Sequence, residues 1–274
     1  MPTNKVLCIG HRGAPSLAPE NTLASAQKAL EVGADMWELD VAMTADGELV
    51  VVHDNTLERV SNVAQVFPDR QKWWVHQFTL AELRQLDFGS WFNEQDPFGQ
   101  ITAGNLSQAE LDRNVGEPMP TLREALAFTQ DNDWRVNVEI KILITTPGDS
   151  IVAERVVALI EQMGMVDRVL ISSFYHSYLE RVRAANAKLA IGVLTLFDIF
   201  DPVVLLRQLD AQAYHPWNSF IQPETIASVR EQGFEVNVWT VNDEARVRSL
   251  IEAQTSGITT DFPQTLKPIL SAPK

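Results

Sequence analysis

Three carboxylates stand in strand-like runs of the sequence, at positions where they could bind a metal ion. Glu38 and Asp40 are two residues apart in the run 36–42, so both side chains point to one face of a strand. Glu139 holds a similar place in the run 136–140. Carboxylate oxygens suit a hard cation, Mg²⁺ or Ca²⁺, better than Zn²⁺. We therefore expect a divalent metal ion here.

The alternative for Glu38 and Asp40 is a solvent-facing position without a function. Trp37, Leu39 and Val41 alternate with them and would take the face that packs on helices. The two carboxylates then point inward, where like charges repel each other unless a cation or a proton intervenes. This pattern favours metal binding.

Two histidines and two cations complete the set of candidates at strand ends. His11 and Arg12 follow the first strand-like run, His53 follows the third, and Lys141 follows the fourth. Histidine exchanges protons near neutral pH, so His11 and His53 beside an acidic cluster are candidates for acid–base catalysis.

The other three histidines are weaker candidates. His76 and His176 are interpreted as surface residues, and His215 either lines the same mouth or packs elsewhere. Before the first helical pattern, Asn21 or Thr22 can cap the helix, and Glu20 favours its positive end. The same helix end could also face a phosphate group, and the two interpretations are compatible.

Short β-branched runs alternate with amphipathic helical patterns along the chain. The strand candidates are 6–9, 36–42, 49–52, 136–140, 169–173, 190–194, 211–214, 235–240 and 257–260. The helix candidates are 22–32, 122–132, 151–163, 178–187, 203–209, 223–232 and 243–253. The alternation predicts an α/β fold, a (β/α)₈ TIM barrel that forms a single domain over residues 1–274. The C-terminal strand ends of such a barrel share one mouth, where the candidate residues would meet.

One strand candidate is in excess of eight, and one long segment lacks the strand–helix rhythm. Asp46-Gly47 is a hairpin signal, so residues 49–52 form either an antiparallel extension of the second strand or a barrel strand. Residues 54–118 contain no clean strand–helix unit. We interpret them as a small insertion after the second or third strand, over one rim of the barrel.

Composition excludes several classes of partner. The net charge of -14 argues against nucleic acids and against anionic membranes. No apolar run reaches the ~20 residues that span a bilayer, and no signal-peptide pattern is present, so stable membrane insertion is not expected. The single cysteine, Cys8, cannot form an intramolecular disulfide, which favours the cytoplasm and a core position for this residue.

Several of these residues stand in motifs that, taken together and in order, cover nearly the whole chain. The motifs are His11-Arg12-Gly13, Pro19-Glu20-Asn21-Thr22, Glu38-Leu39-Asp40-Val41, the run from Asp46 to Asp54, Leu86 to Phe92, Pro118 to Leu122, Glu139-Ile140-Lys141, Trp239-Thr240-Val241-Asn242 and Thr260-Asp261-Phe262-Pro263. This set resembles the glycerophosphodiester phosphodiesterase family, whose barrel is similar to that of phosphatidylinositol-specific phospholipase C.

The resemblance implies a divalent metal ion and hydrolysis of small glycerophosphodiesters, which are deacylated phospholipids, to sn-glycerol 3-phosphate and an alcohol. By position, it implies metal ligands at Glu38, Asp40 and Glu139, catalytic histidines at His11 and His53, phosphate contacts at Arg12 and Lys141, a substrate wall at Trp239, and a substrate-binding block that includes Glu20 and Asn21. The chain departs from the family after Arg59, where Val60-Ser61-Asn62 replaces two threonines and a glycine, and in residues 93–116, which are longer than usual.

The expected mechanism uses the glycerol hydroxyl next to the phosphorylated one as the nucleophile, which has the advantage of an intramolecular reaction. His53 is predicted to accept its proton and His11 to protonate the leaving alcohol. Water then opens the resulting cyclic phosphate with the two roles reversed.

Two rival functions fit part of the pattern. A phospholipase D-like enzyme for lysophospholipids or sphingolipids would need a contiguous apolar lid, and charged residues interrupt the aromatic pairs Trp73-Trp74 and Trp91-Phe92 in the insertion. A barrel that only binds phosphate should lack one of the candidate histidines or carboxylates, and none is missing.

Overall fold

The computed structural model of the chain describes residues 5–197 and 199–272. In this part of the chain the strands are β1 (Leu7–Gly10), β2 (Met36–Met43), β3 (Leu49–Val51), β4 (Val136–Ile140), β5 (Val169–Ser173), β6 (Ala190–Thr195), β7 (Ala213–Pro216), β8 (Glu235–Val238) and β9 (Gly257–Thr260). All strands except β3 pair in parallel, and β1 pairs with both β2 and β9, so the sheet closes. The predicted (β/α)₈ barrel is confirmed.

The third strand settles the question that the sequence left open. β3 is antiparallel to β2, with Val41 opposite Val51 and Met43 opposite Leu49. It is therefore an extension of β2, formed through the Asp46-Gly47 turn, and not a barrel strand. Gly47 has a φ of 84°, which a residue with a side chain adopts only with strain.

Helices cover the outside of the barrel. In the described residues they are α1 (Leu23–Glu31), α2 (Val63–Val66), α3 (Leu80–Leu83), α4 (Ser90–Gln95), α5 (Gln108–Asn114), α6 (Leu122–Asp131), α7 (Val152–Gln162), α8 (His176–Ala185), α9 (Pro202–Gln208), α10 (Pro223–Glu231), α11 (Glu244–Glu252) and α12 (Pro263–Ser271). The short helices α2 to α5, with a 3₁₀ turn at Val75–Gln77, lie in the segment without a strand–helix rhythm. α12 was not predicted.

The packing of Trp37 fixes which face of β2 points outward. Its indole ring stacks on Trp134 at 6.2 Å between ring centroids, meets Phe128 edge-on at 6.5 Å, and donates a hydrogen bond from Nε1 to Thr129 Oγ1 at 2.9 Å. The alternate residues of β2, Glu38 and Asp40, therefore point into the barrel, as their spacing predicts.

Candidate metal centre and active site

Strands β2 and β4 bring the three candidate carboxylates together. Glu38 and Asp40 lie on β2, and Asp40 stands opposite Glu139 of β4 in the parallel register. One oxygen atom from each of the three carboxylates lies within 4.8 Å of the others. All three side chains are buried, and Glu38 Oε1 has no hydrogen-bond partner among the described residues. An unpaired buried oxygen in an all-carboxylate set fits a hard divalent cation.

The electrostatics of this cluster also favour a cation. Burial, together with the charges of Asp40 and Glu139, raises the pKa of Glu38 well above its usual value. Burial likewise raises the pKa of Glu139, and Asp40 adds to that effect. Burial would raise the pKa of Asp40 too, but the cations Lys141 and Arg12 outweigh it and lower this pKa. A divalent cation would relieve the repulsion among the three carboxylates.

Arg12 and Lys141 border the carboxylates. Lys141 Nζ lies 2.7 Å from Glu139 Oε1 and 3.2 Å from Asp40 Oδ1, and Arg12 Nε lies 3.4 Å from Asp40 Oδ2. Three carboxylates and two cations have a formal charge of −1, and a divalent cation changes this to +1. The centre would then attract an anionic substrate despite the net charge of the chain.

A left-handed turn after β1 carries the backbone of Arg12 to the cluster. Arg12 has a φ of 54° and Gly13 a φ of 91°, and Arg12 N donates to Glu38 Oε2 at 2.8 Å. A Cβ atom at Gly13 would lie 2.5 Å from Ser25 Oγ, so only glycine fits here.

The two histidines are each oriented by a carboxylate. His11 Nδ1 lies 2.6 Å from Asp261 Oδ1, and Asp261 Oδ2 accepts a hydrogen bond from Asn242 Nδ2 at 2.6 Å. His53 Nδ1 lies 2.7 Å from Asp54 Oδ1. A carboxylate at Nδ1 favours a proton on that nitrogen and turns Nε2 outward for proton exchange.

Arg59 extends this network, and sequence reasoning did not select it. Arg59 Nε donates to Asp54 Oδ2 at 2.7 Å, while Nη1 and Nη2 donate to Glu20 Oε2 and Oε1 at 2.8 and 2.7 Å. Glu20 Oε1 also accepts from Arg12 Nη1 at 2.9 Å. A continuous set of ion pairs thus runs from Arg12 to His53. In the sequence, Arg59 marks only the point after which the chain departs from the family pattern, because a residue six positions after His53 in a loop has no periodicity to reveal its role.

The sequence left open whether Asn21 or Thr22 caps α1, and the structure gives the two residues different roles. Thr22 caps α1, since its side chain accepts from Ser25 N. Asn21 instead holds Asp40: its Nδ2 donates to Asp40 Oδ2 at 2.8 Å, and its Oδ1 accepts from Asp40 N at 3.2 Å. Asn21 therefore positions one of the candidate metal ligands.

A pocket of about 390 Å³ opens beside the carboxylates, lined by His53, Glu139, Lys141 and Phe174 among others. The ring of Trp239 lies 5.4 Å from that of Phe174, centroid to centroid, with the planes at 76°. Trp239 thus reaches the same mouth as the histidines. Phe174, in the loop after β5, was not selected from the sequence.

The remaining histidines are apart from the candidate centre. His215 is buried within β7, where Asn237 Nδ2 donates to its Nε2 at 3.1 Å, and burial lowers its pKa to about 3. We interpret it as a neutral packing residue. His76 and His176 are half-buried rather than surface residues, and His176 Nε2 donates to the carbonyl oxygen of Leu194 at 3.0 Å.

The aromatic residues of the insertion do not form a lipid lid. Trp91 and Phe92 on α4 are 8% and 1% exposed, and Trp91 Nε1 donates to the carbonyl oxygen of Phe88. Trp73 and Trp74 are half-buried. Trp91 and Phe92 are part of the hydrophobic core, and Trp73 packs against it.

Residues 11–265 match the model of the glycerophosphoryl diester phosphodiesterase family. The chain belongs to this family. A glycerophosphodiester phosphodiesterase of Caldanaerobacter subterraneus is 35% identical over 263 residues, which cover 96% of each chain. A solved structure from Silicibacter pomeroyi has a TM-score of 0.84 at 26% identity and covers 97% of this chain and 93% of the other.

A solved structure of an Oleispira antarctica phosphodiesterase, in complex with its product sn-glycerol-3-phosphate, has a TM-score of 0.78 at 25% identity and covers 98% of each chain. As a member of the family, the present chain is a phosphoric diester hydrolase. Among the helices of the described residues, none is long and apolar enough to cross a bilayer.

Proposed function

We propose that this enzyme hydrolyses glycerophosphodiesters to sn-glycerol 3-phosphate and an alcohol, with a divalent cation, Mg²⁺ or Ca²⁺, held by Glu38, Asp40 and Glu139. One observation carries the proposal: the buried carboxylate cluster lies in the same barrel mouth as two cations and two carboxylate-oriented histidines. The product in the Oleispira antarctica structure gives independent support for this class of substrate.

The bound cation would neutralise the non-bridging oxygens of the phosphodiester and stabilise the charge that develops on them. Arg12 and Lys141 add two fixed positive charges at the same place, and their carboxylate partners hold them there before substrate arrives. Such preorganised charge is usually the largest contribution to the rate enhancement of a reaction whose transition state develops negative charge.

His53 is proposed as the base that removes the proton from the neighbouring glycerol hydroxyl, and His11 as the acid that protonates the leaving alcohol. The hydroxyl oxygen forms a bond to phosphorus as the bond to the alcohol breaks, which gives a cyclic phosphate. Water, activated by His11, then opens the ring, and His53 returns its proton to the released glycerol oxygen.

Trp239 and Phe174 are proposed to hold the glycerol half of the substrate, because Phe174 lines the pocket that contains His53 and Lys141 and the ring of Trp239 packs against Phe174. The insertion, residues 54–118, is proposed to border the leaving alcohol. The cytoplasm is the proposed compartment, and the proposed role is in lipid and glycerol metabolism.

Cys8 is not proposed to take part in the reaction. Burial raises the pKa of the Cys8 thiol to about 12, so this thiol is unreactive.

A coupled assay for glycerol 3-phosphate tests this function. Purified enzyme is incubated with glycerophosphocholine, glycerophosphoethanolamine and diglycerophosphate in the presence of Mg²⁺ or Ca²⁺. We expect release of glycerol 3-phosphate from at least one of them, and release that is slower by ~10²–10⁴-fold from enzyme with His11→Ala. Absence of turnover on all three, with either cation, would overturn the proposal.

A further inference from the structure

Asn137 lies on the floor of the barrel mouth, next to the carboxylate cluster. It stands opposite Glu38 in the parallel register of β2 and β4, just as Asp40 stands opposite Glu139. Side chains two residues apart on a strand share a face, so Asn137 points inward with Glu139, whereas Val138 between them packs in the hydrophobic core. The four inward side chains therefore form two adjacent pairs that contain three carboxylates and one amide.

The amide oxygen of Asn137 has no partner of its own. The side chain is 5% exposed, and no donor among residues 5–197 and 199–272 bonds to its Oδ1. Glu38 Oε1, on the residue paired with it, is buried and unpaired within the same ranges. Two acceptors cannot satisfy each other, and a buried polar atom without a partner is costly. The two oxygens therefore indicate a ligand that the chain itself does not supply.

The donors around the cluster bond to other oxygens. Lys141 Nζ donates to Glu139 Oε1 at 2.7 Å, and the backbone N of Arg12 donates to the second oxygen of Glu38, Oε2, at 2.8 Å. A hydrated divalent cation fits the place that remains, because Mg²⁺ and Ca²⁺ bind carboxylate oxygens, amide carbonyl oxygens and water.

We propose that Asn137 is the fourth oxygen-bearing side chain of the metal centre, and that its amide oxygen faces the hydrated cation held by the three carboxylates. This inference rests on the cation of the proposed function. An amide adds an oxygen without adding a charge, so the centre with its cation keeps the formal charge of +1. A carboxylate at this position would hold the cation more tightly but would reduce that charge to zero, and with it the attraction for an anionic phosphodiester.

Calorimetric titration of metal-free enzyme with Mg²⁺ or Ca²⁺ measures Kd without substrate or turnover. Asn137→Leu, which keeps the approximate shape of the side chain but removes the oxygen, should raise both Kd values by about 10- to 100-fold. Asn137→Asp should bind each cation at least as tightly as the parent enzyme and, with the cation saturating, should raise KM for glycerophosphocholine several-fold. Urea unfolding without metal shows whether each variant folds, and Asn137→Ala takes the place of Asn137→Leu if the latter does not.

Asn237→Leu is the matched control. Asn237 is a buried asparagine of β8 whose Oδ1 is likewise unpaired in the part of the chain that the structure describes. Its partner in the strand register is Gly257, and its Nδ2 donates to His215, so its neighbours are not carboxylates. This change should leave both Kd values as in the parent enzyme, whatever its effect on the free energy of unfolding.

The outcomes separate this inference from the function on which it rests. A parent enzyme that binds neither cation would overturn the proposed cofactor, and this inference with it. Unchanged Kd values in Asn137→Leu, or an equal loss in Asn237→Leu, would overturn the inference and leave the cofactor intact. A loss in Asn137→Asp as large as that in Asn137→Leu would also overturn it, because the amide would then act through Nδ2 as a donor to Glu38. An unchanged KM in Asn137→Asp would overturn the role of the uncharged amide in attracting the substrate.

Discussion

The guanidinium group of Arg59 donates hydrogen bonds to both carboxylate oxygens of Glu20, from Nη1 to Oε2 at 2.8 Å and from Nη2 to Oε1 at 2.7 Å. Its third nitrogen, Nε, donates to Asp54, the carboxylate that orients His53. Arg59 thus makes the position of His53 depend on the same glutamate that holds Arg12. We infer that Arg59 is a positioning residue, one that acts through His53 without contact to the substrate.

Replacement of this guanidinium should affect turnover more than substrate affinity. Arg59→Ala is expected to lower kcat about 10-fold or more with little change in KM, because His53 loses its fixed orientation. Arg59→Lys should restore only part of the loss, since an ammonium group cannot bridge Glu20 and Asp54 as a fork. The pH dependence of kcat/KM should shift along the pH axis in Arg59→Ala, since Asp54 no longer has the guanidinium group of Arg59 as its ion-pair partner.

The control for this prediction is Arg84→Ala. Arg84 Nη2 donates to both oxygens of Glu124, a comparable ion pair on the outside of the barrel. This change should leave kcat and the pH profile as in the parent enzyme. An equal loss in the two variants, or an unmoved profile in Arg59→Ala, would assign Arg59 a structural role only.

Metal binding should stabilise the protein as well as activate it. A cation that binds only the folded state adds about 2.7 kcal/mol to the free energy of unfolding at 100 times its Kd. Urea unfolding of chelator-treated enzyme, with and without Mg²⁺ or Ca²⁺, measures this gain. Glu38→Gln should lose most of it, whereas Glu117→Gln, at a partly buried carboxylate that accepts from Ala24 N, should retain it. Full activity in enzyme shown to be metal-free by elemental analysis would contradict the proposed cofactor.

The nucleophile can be identified with a substrate that lacks it. If the neighbouring glycerol hydroxyl attacks phosphorus, a 2-deoxy glycerophosphodiester should react more slowly by about 10³-fold or more in kcat/KM. His11→Ala and His53→Ala should each cost ~10²–10⁴-fold on the normal substrate. Equal rates on the two substrates would mean that water attacks directly, and the cyclic phosphate would then be excluded even if both histidines prove essential.

The buried imidazole of His215 predicts an acid limit to stability. Burial holds its pKa at about 3 in the folded protein against 6.5 as the ordinary value, so the unfolded chain binds the proton more readily. Stability from this group is therefore fully present above about pH 6.5 and is lost as the pH falls from there towards 3. The free energy of unfolding, measured in urea between pH 7 and pH 5, should fall less in His215→Gln than in the parent. Parallel curves for the two proteins would count against this origin of acid sensitivity.

The barrel and its inward carboxylates were predictable because both follow from short-range periodicity. The alternation of Trp37, Leu39 and Val41 with Glu38 and Asp40 assigns each residue a face, and the structure keeps those faces. The end of β7 was predicted two residues too early, since His215 and Pro216 still pair with β6, opposite Leu194 and Thr195. A buried histidine in a strand is uncommon. His215 fits here because its neighbour Gly192 has no side chain: a Cβ atom at Gly192 would lie 2.7 Å from His215 Nε2.

The parts of the site that the sequence did not reveal come from loops. Arg59 and Phe174 have no periodic neighbours, and their roles depend on residues 39 and 65 positions away, Glu20 and Trp239. Trp91 and Phe92 were expected on a rim because the insertion lacks regular strands, but α4 packs both rings into the hydrophobic core that the insertion shares with the barrel. Long-range contacts of this kind are set by packing, which no local pattern encodes.

The contact between His11 and Asp261 joins residues 250 positions apart, across the seam where β1 meets β9. During synthesis, the carboxylates of β2 and β4 can assemble while the rest of the barrel is still being made. The proposed acid cannot be oriented until β9 has left the ribosome and closed against β1. The nascent chain is therefore expected to bring its candidate metal ligands together first and to orient both histidines only after ring closure, so activity requires a closed barrel.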